Sequence, residues 1–394
     1  MHESTHDTPD RPDDGHRPDD DGQPADTTDE PTRRMNYDRT ADSDTIRRMV
    51  QHIEPDWRVA DATPATAGQH IVYLLTVETP AGPRDCVLKA TPDGKPGTCD
   101  VEARILAIVA EHTTVPVPEV FGVVDEHDAL PAPFFLSSRE PGADFDRTGL
   151  GELTDDRVDA LARSSGRQLA RLHAMDALDG YGYVGVAYDE PLSGGRPSAD
   201  TDQLVVTDAT EDWTTCLRAS VEGVVDGLGE TRFADLQSTV APAVETAIDT
   251  VEDPADPTVC RIDHSLDNLL VDPDSGETTA LLDWEFQFAG TPAYDLAFVE
   301  RSLAGGSWSF TPDAPDQHER IRAGLVAGYR EATPDTVTGR FESNRTAYRL
   351  LVDCHELFNF DDALDVFDVP ESQREAAADR LRAAVRERCS RWES

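Results

Sequence analysis

The chain contains 394 residues, of which 78 are acidic and 35 basic, so its formal net charge is −43 at pH 7. This length predicts two or three domains, or one enzyme built from two lobes, and it allows a sizeable hydrophobic core. Because so negative a protein repels nucleic acids and anionic membrane surfaces, we exclude both as expected partners.

Signals for targeting, membrane insertion and disulfide bonding are weak throughout the sequence. It shows no apolar leader-like region, and no apolar run approaches the ~18–20 residues that a membrane span needs. The six cysteines form neither a CxxC pair nor a regular framework. We therefore expect a soluble, cytoplasmic protein with free thiols. The sequence carries no signal for an oligomeric state.

The first 140 residues combine an acidic tail with mainly β-type patterns. Residues 1–35 hold almost no large apolar side chains and predict a disordered tail. A helix is predicted from Asp42, because apolar residues recur at helical spacing in DSDTIRRMVQHI. Two β-rich runs in HIVYLLTVETPAGPRDCVLKA flank a Pro/Gly turn and predict a hairpin. A helix over 100–111 and strands in VPVPEVFGVV and PFFLSS follow, which indicates an antiparallel sheet with a helix.

After residue 141 the pattern becomes mainly helical. Helical periodicity marks six segments: 154–175, 211–250, 293–304, 315–332, 340–360 and 371–390. One short β-rich island lies between them, at 268–283. We therefore predict an α+β fold, with an N-terminal unit over 36–141 and a mainly helical unit over 142–394.

Lysine is almost absent from the chain. Only Lys89 and Lys95 are lysines among the 35 basic residues, and the other 33 are arginines. Acid excess with few lysines resembles the proteins of salt-loving archaea, where molar salt shortens the Debye length to about 3 Å. Most acidic residues are therefore interpreted as a solvated surface. Lys89 lies in an apolar β run, where an outward-facing edge residue is the ordinary alternative. Its retention favours a need for a compact ammonium, as in phosphate binding.

Two further residues are candidates for a nucleotide site. Glu102 alone would be interpreted as a solvated residue of the helix after that strand. Paired with Lys89, it becomes a candidate for holding the ammonium on a nucleotide's phosphates. Gly68 lies in a turn before a strand, which is a weak phosphate-loop signal, because neither GxGxxG nor GxxxxGK[ST] occurs. An ordinary turn is an equal alternative at Gly68.

The stretch CRIDHSLDNLLVD and its continuation carry the strongest signal. The chain contains only four asparagines, and Asn268 is followed by a short apolar run, a turn, a second apolar run and Asp283. This order predicts a β-hairpin, with Asp263 and Asn268 before its first strand and Asp283 after its second. Hard oxygen ligands suit Mg²⁺, so Asn268 and Asp283 are its candidate ligands and Asp263 is left to accept an alcohol proton. Solvated loop residues are the alternative.

These motifs are similar in order to those of the protein-kinase-like fold. The segment LLDWEFQFAGTPAYDLA closely resembles the aminoglycoside phosphotransferase/choline kinase family, which typically shows HGDxxxxN, a strand and then D-W-E-x4-G-x-P-x-x-D-L-A. The segments EARILAIVAEHTTVPVPEVFG, PFFLSSREPG and GRQLARLHAMDALDGYGYVG resemble that family's helix-and-strand segment, hinge and first large C-lobe helix. The similarity covers about residues 45–360 and is specific over 260–297.

The resemblance implies a two-lobed fold with a small antiparallel-β N-lobe and a large helical C-lobe. It also implies a small-molecule kinase that uses ATP and Mg²⁺ to phosphorylate a hydroxyl group. Asp263 would be the catalytic base, and Asn268 and Asp283 would carry Mg²⁺. Lys89 would contact the α- and β-phosphates, with Glu102 orienting it.

Further roles follow from the same resemblance. Backbone groups of Ser138, Arg139 and Glu140 would hold the adenine, and Gly68 would belong to the loop over the phosphates. Asp295, in PAYDLA, would brace the site from below. The acceptor is not encoded in any motif. Acid-rich C-lobe loops suit a cationic acceptor, although acidity throughout the chain discriminates little.

The chain departs from the family pattern where Arg261-Ile262 replaces His-Gly. Arg261 could donate to backbone carbonyls or pair with a nearby carboxylate, and its permanent charge predicts a lowered pKa for Asp263. The substitution motivates an alternative function, a nucleotide-binding pseudokinase with a regulatory or scaffolding role. Elsewhere we interpret His173 as a hydrogen-bonded structural histidine, and Trp213 as a core residue rather than part of an acceptor pocket.

Overall fold

The computed structural model describes residues 37–65, 68–95, 98–144, 153–175, 178–333, 336–366 and 369–392. The tail predicted over 1–35 lies outside these residues. The helices are α1 Ser43–Ile53, α2 Cys99–His112, α3 Asp155–Leu172, α4 Trp213–Gly227, α5 Gln237–Asp249, α6 Pro292–Leu303, α7 His318–Ala332, α8 Thr336–Phe358, α9 Phe360–Val366 and α10 Glu371–Cys389. The strands are β1 Arg58–Pro64, β2 Ile71–Thr79, β3 Gly82–Ala90, β4 Val120–Val124, β5 Phe134–Ser138, β6 Ala143–Asp144, β7 Tyr181–Val186, β8 Leu204–Thr210, β9 Thr258–Cys260, β10 Leu269–Val271, β11 Thr278–Leu281 and β12 Gln287–Gly290.

The N-lobe contains an antiparallel sheet of five strands in the order β1-β2-β3-β5-β4. The predicted hairpin is confirmed as β2 and β3, which pair from Ile71↔Ala90 to Thr79↔Gly82. Alternate side chains of β2 are buried, as its period-two pattern requires. The sequence patterns gave no signal for β1, because this edge strand is mostly exposed and lacks the apolar alternation of a half-buried strand.

The first helix is confirmed where the capping residue and the apolar spacing predict it. The Asp42 carboxylate accepts a hydrogen bond from the Thr45 backbone N–H at 2.7 Å and caps α1. The apolar residues at helical spacing are all buried under this helix. The second helix, α2, packs its inner residues Ile105 and Val109 into the same hydrophobic cluster as Leu281 and Trp284. The core of α2 is therefore continuous with that of the C-lobe.

The C-lobe is mainly helical, and its sheet content exceeds the prediction. The β-rich island is confirmed as the hairpin β10–β11, which β6 extends to three strands. The expectation of a single island is wrong, because β8-β7-β12-β9 form a second, four-stranded sheet. Its strands are three to seven residues long and pair across long sequence separations, so local patterns predict them poorly. The helical pattern over 211–250 is divided into α4 and α5 by short 3₁₀ turns.

A segment between β7 and β8, residues 187–203, connects the C-lobe to the N-lobe; we call it the crossing segment. Three backbone hydrogen bonds of 2.8, 2.9 and 3.0 Å join it to β4 and to the residue after that strand. β4 is an edge strand of the five-stranded sheet. The crossing segment therefore forms hydrogen bonds with backbone groups that would otherwise be exposed at this edge.

The crossing segment also contacts α2 through one aromatic side chain. The Tyr188 hydroxyl donates to Asp100 at 2.9 Å, and the Arg104 guanidinium stacks 3.6 Å from the centre of the Tyr188 ring. Arg104 in turn donates two hydrogen bonds to the buried Asp125 carboxylate, at 2.8 and 2.7 Å. A planar fork matched to a carboxylate is the geometry that arginine provides best. These contacts fix the outer face of α2 against the end of β4.

Several predictions about the interior are confirmed. Trp213 is 5% exposed and its indole N–H donates to the Tyr348 hydroxyl at 3.0 Å, so it belongs to the core. All six cysteines are buried thiols.

Among the described residues, no helix is both long and apolar enough to cross a membrane.

Gly122 tests the close approach between β4 and the crossing segment. A Cβ atom at this position would lie 2.5 Å from the Gly194 carbonyl oxygen and 2.6 Å from the Ile53 Cγ2 atom. We expect Gly122→Ala to lower the free energy of unfolding by about 1–3 kcal/mol through this overpacking. Gly223→Ala is the matched control, since its Cβ meets open space in the exposed part of α4. It should stabilise the protein by about 0.5–1 kcal/mol. Denaturant unfolding in molar salt measures both, and equal effects would contradict the packing argument.

Candidate functional site

Lys89 is the centre of an ion triad that joins β3, α2 and the turn after β11. Its Nζ atom lies 2.6 Å from Glu102 Oε2 and 3.1 Å from Asp283 Oδ1. Burial alone would lower the pKa of Lys89, but the two carboxylates outweigh this and raise that pKa well above its ordinary value. The structure therefore brings Lys89 and Glu102 together, as their order in the sequence predicts.

Glu102 lies in the first turn of α2 and is 3% exposed. Its second oxygen, Oε1, accepts a hydrogen bond from the Trp284 backbone N–H at 3.4 Å, so the carboxylate contacts both lobes. Burial raises the pKa of Glu102 to about 7, and Lys89 works in the opposite direction. The charge of Glu102 therefore depends on pH in the neutral range.

The hairpin β10–β11 brings the predicted polar residues to one place. Leu269 pairs with Leu281, and the Leu282 backbone N–H donates to the Asn268 carbonyl at 2.9 Å, which closes the open end of the hairpin. The Asn268 side-chain NH₂ donates to Asp263 Oδ2 at 3.1 Å. In this orientation the amide oxygen of Asn268 points away from the carboxylate and can serve as a metal ligand.

The pKa of Asp263 differs from the sequence prediction. Its side chain opens to solvent, and the Ser265 hydroxyl donates to it at 3.1 Å. Enclosure by the surrounding protein nevertheless raises the pKa of Asp263, and the nearby Asp283 adds to this effect. Arg261 lowers that pKa but does not outweigh the other contributions. The predicted lowering is therefore wrong, because it considered the charge of Arg261 without the desolvation of the cleft.

Asp283 combines a low pKa with an unusual backbone. Burial works to raise its pKa, but Lys89 and Arg261 outweigh burial, and the pKa of Asp283 is lowered. Its φ is +56°, in the left-handed region that residues other than glycine rarely adopt. Such a conformation persists only where surrounding contacts hold it.

Arg261 supplies those contacts. Its side chain is fully buried, and its guanidinium donates to the Asp283 carbonyl at 2.6 Å and to the Leu282 carbonyl. The same guanidinium stacks 4.5 Å from the centre of the Trp284 ring. Of the two roles that the sequence left open, donation to backbone carbonyls is therefore the one observed. Arg261 holds the turn that carries Asp283 to the loop that carries Asp263.

A buried brace lies below this loop. Asp295 Oδ2 accepts the Arg261 backbone N–H at 2.8 Å and lies 2.9 Å from His173 Nε2. His173 Nδ1 lies 3.0 Å from the Tyr329 hydroxyl, so both ring nitrogens are hydrogen-bonded. Among the described residues, His173, Cys260 and Asp295 form the one group of three potential metal ligands whose ligand atoms all lie within 4.8 Å of one another. The hydrogen bonds account for the group, and the structural interpretation of His173 is confirmed.

The segment expected to contact adenine follows β5 directly. The Ser138 backbone N–H donates to the Glu119 carbonyl at 2.9 Å, and that of Arg139 donates to the Asp85 carbonyl at 3.3 Å. The Ser138 hydroxyl donates to the Glu140 carboxylate. Two backbone donors of this segment are therefore already used within the N-lobe.

Gly68 has a φ of +89°, and a Cβ at this position would meet open space. The turn therefore needs glycine for its backbone conformation rather than for room. Residues 66 and 67 of the same loop lie outside the described residues.

A second polar group lies beside the triad, and the sequence patterns assigned it no role. Glu285 Oε2 accepts the Thr98 hydroxyl at 2.7 Å and lies 3.3 Å from His70 Nε2. Lys95 Nζ lies 2.8 Å from His70 Nε2 and 3.4 Å from Glu285 Oε2. The signal for this group in the sequence was the rarity of lysine, since Lys95 is the second of only two.

Comparisons with known proteins bear on the family and the fold of the chain. A family model described as the phosphotransferase enzyme family matches residues 61–337. A solved aminoglycoside phosphotransferase, a thermostable mutant of APH(4)-Ia with AMP-PNP and hygromycin B, is 18% identical with a TM-score of 0.53, covering 86% of this chain and 99% of that one. A microcompartment-associated aminopropanol kinase is 19% identical with a TM-score of 0.51, covering 89% and 97%. The predicted α+β, protein-kinase-like fold is confirmed.

Among curated proteins, acyl-CoA dehydrogenase family member 10 of Mus musculus is 25% identical over 227 residues. The match covers 55% of this chain and 18% of that protein. The chain therefore spans less than a fifth of this relative's length.

Asp295 tests whether the brace supports the site. Asp295→Ala would leave the Arg261 backbone N–H and His173 without their acceptor in a buried place. We expect it to lower the free energy of unfolding by about 2–4 kcal/mol. Asp267→Ala, an exposed aspartate of the same loop, should stay within about 0.5 kcal/mol of the wild type. Equal unfolding midpoints for the two variants in denaturant would contradict the brace.

Proposed function

The chain belongs to the phosphotransferase enzyme family, and we propose that it transfers the terminal phosphate of ATP to a hydroxyl group of a small molecule. The observation that carries this proposal is the convergence of Lys89, Asp283 and the Asp263–Asn268 pair at one cleft. A paired ammonium, hard oxygen donors and a separate carboxylate are the parts that phosphoryl transfer to an alcohol requires.

The donor set at this cleft fits a magnesium ion. Asn268 and Asp283 offer an amide oxygen and a carboxylate oxygen, and the lowered pKa keeps Asp283 ionised at neutral pH. Mg²⁺ prefers a few such protein ligands and completes its octahedron with phosphate oxygens and water. When bound, the ion would neutralise charge on the transferred phosphate. The His173–Cys260–Asp295 group fits Mg²⁺ less well, because two of its three ligand atoms are an imidazole nitrogen and a thiol sulfur.

The remaining residues have complementary proposed roles. Asp263 would accept the proton of the attacking hydroxyl, and its raised pKa makes it a stronger base than an ordinary aspartate. Lys89 would contact the phosphates, with Glu102 fixing the direction of its ammonium. Arg261 would act through Asp283, since its guanidinium binds backbone carbonyls of that turn. Most of the catalysis would come from positioning and charge neutralisation.

The adenine and phosphate contacts extend the proposal to the N-lobe. With the Ser138 and Arg139 backbone donors engaged, adenine would be held by the carbonyls of Ser138–Glu140 and the Glu140 N–H. Gly68 would belong to the loop above the phosphates, where its left-handed backbone gives a sharp turn into β2.

The acceptor is proposed to be a small polar molecule with a hydroxyl group and a positive charge. One structural relative was solved with hygromycin B, and another is described as an aminopropanol kinase. Those acceptors belong to those proteins, but both carry amino groups, which a chain of net charge −43 would attract. The same charge supports a protein adapted to high salt, so assays belong in molar salt.

A pseudokinase is the alternative that Arg261-Ile262 motivates. Arg261 contributes hydrogen bonds to the Asp283 turn, so the turn of the proposed metal ligand is supported although Arg261 replaces the family histidine. We therefore favour an active enzyme.

Asp263→Asn tests the base. We expect turnover to fall by about a hundredfold or more, because the amide cannot accept the hydroxyl proton. Nucleotide affinity should stay within about twofold. ATP consumption would be measured in molar salt with a panel of amino alcohols, sugars and aminoglycosides. Asp274→Asn, at an exposed aspartate of the turn between β10 and β11, is the matched control and should keep wild-type turnover. Wild-type turnover by Asp263→Asn would refute the base, and full ATP affinity of the wild type without transfer to any acceptor would favour the pseudokinase.

The raised pKa of Glu102 predicts that nucleotide binding depends on pH. Because its pKa is raised to about 7, Glu102 gains a proton as the pH falls from 8 to 6 and loses its ion pair with Lys89. We expect ATP affinity to decrease over this interval, since the ammonium is then held by Asp283 alone. Glu102→Gln should bind ATP weakly at both pH values and remove most of the difference. Titration calorimetry measures this, with exposed Glu126→Gln as control. A wild-type affinity that is flat or increases on acidification contradicts the prediction.

A further inference from the structure

Both lysines of the chain lie at the same cleft. In a protein with 33 arginines, each lysine lies within salt-bridge distance of one carboxylate of the Asp283-Trp284-Glu285 turn. Lys89 reaches Asp283 from β3, and Lys95 reaches Glu285 from the loop before α2. The two lysines are six positions apart, yet their partners in this turn are nearly 200 positions away in the chain.

Lys95 has the environment of a functional lysine rather than a surface one. Its side chain is 10% exposed, about as little as that of Lys89 at 11%. Its ammonium lies 2.8 Å from Nε2 of His70, the residue between the Gly68 turn and β2. Burial and both lysines lower the pKa of His70 to about 3, so the imidazole is neutral. A neutral His70 accepts a hydrogen bond from Lys95 but offers it no negative charge, so the ion pair of this ammonium is the one with Glu285 at 3.4 Å.

The ammonium groups of Lys89 and Lys95 both influence the pKa of His70. Both lower the pKa of His70, and Asp283 raises it, so all three lie within electrostatic reach of one imidazole. Glu285 in turn contributes to the raised pKa of Lys89. Arg261 cannot serve as a third phosphate contact, because its guanidinium is buried and bonded to backbone carbonyls.

We propose that Lys95 is a second phosphate-binding lysine, which contacts the terminal phosphate of the bound nucleoside triphosphate while Lys89 contacts the inner ones. The proposal rests on the proposed ATP-dependent function of this cleft. The Lys95 ammonium lies against Glu285 and against His70, two residues after Gly68 of the proposed phosphate loop. Lys89 is instead drawn toward α2 by Glu102 at 2.6 Å. A compact ammonium with three donors can exchange its protein partners for phosphate oxygens as the phosphate group moves, which a planar guanidinium does less readily.

The competing explanation is a simple latch. In that case the Lys95–Glu285 contact only holds the loop before α2 against the turn after β11. A latch would support every nucleotide equally, because it closes the cleft without contacting a particular phosphate. The two explanations therefore differ in whether the loss depends on the number of phosphates in the ligand.

The test measures binding of ATP, ADP and adenosine by titration calorimetry in fixed salt, with Mg²⁺ present. We expect Lys95→Met to weaken ATP by about tenfold to a hundredfold and to leave ADP within about twofold. Lys89→Met should weaken both ATP and ADP, and neither variant should change the affinity for adenosine. Arg58→Met removes an exposed N-lobe cation and should change nothing. Thermal unfolding of each variant checks that the fold is retained.

Equal losses for ATP and ADP, a loss for adenosine, or no loss at all in Lys95→Met would overturn the role of Lys95. The first two results indicate the latch. Failure of the proposed function looks different, because the wild type would then bind neither ATP nor ADP. Lys95→Arg gives a further readout. It should recover part of the ATP affinity through its charge, whereas a variant no better than Lys95→Met would contradict an electrostatic contact with phosphate.

Discussion

The constraint on which the site depends is the pairing of the Lys89 ammonium with two carboxylates from different parts of the chain. A nearly buried charge is tolerated only when partners compensate the loss of water. Glu102 comes from α2 and Asp283 from the turn after β11, so the triad requires that N-lobe strand, N-lobe helix and C-lobe hairpin pack together. The continuous core behind α2 and the crossing segment on its outer face provide this packing without a direct role in the cleft.

Arg261 shows how a residue foreign to the family pattern is accommodated. Its guanidinium is fully buried, and the two backbone carbonyls and the Trp284 ring replace the water that it loses. These contacts hold Asp283 at a positive φ, while Asp295 holds the backbone of Arg261 itself. The loop of the proposed base and the turn of the proposed metal ligand are thus tied through one side chain. A histidine has two ring nitrogens and could not donate in this forked manner.

The sequence predicted those features that short-range physics determines. Apolar periodicity predicted α1 and the β2–β3 hairpin, and the two apolar runs flanking a turn between Asn268 and Asp283 predicted the β10–β11 hairpin. It missed the four-stranded sheet, whose short strands pair over long separations and carry little local signal. The raised pKa of Asp263 was also missed, because desolvation depends on the walls of a cleft that only the folded chain forms. The roles of Glu285 and His70 were hidden for the same reason.

The balance between arginine and lysine separates two uses of charge in this protein. Arginines form many exposed pairs with the abundant acids, for example Arg320 with Asp155 and Asp159. Molar salt screens such pairs strongly, so each contributes little to stability. The side chains of the two lysines are only about a tenth exposed, so salt screens their pairs with Glu102, Asp283 and Glu285 less than it screens these surface pairs. An acidic, arginine-rich chain can therefore carry a pair of enclosed ammonium groups whose ion pairs salt screens less than those of its surface.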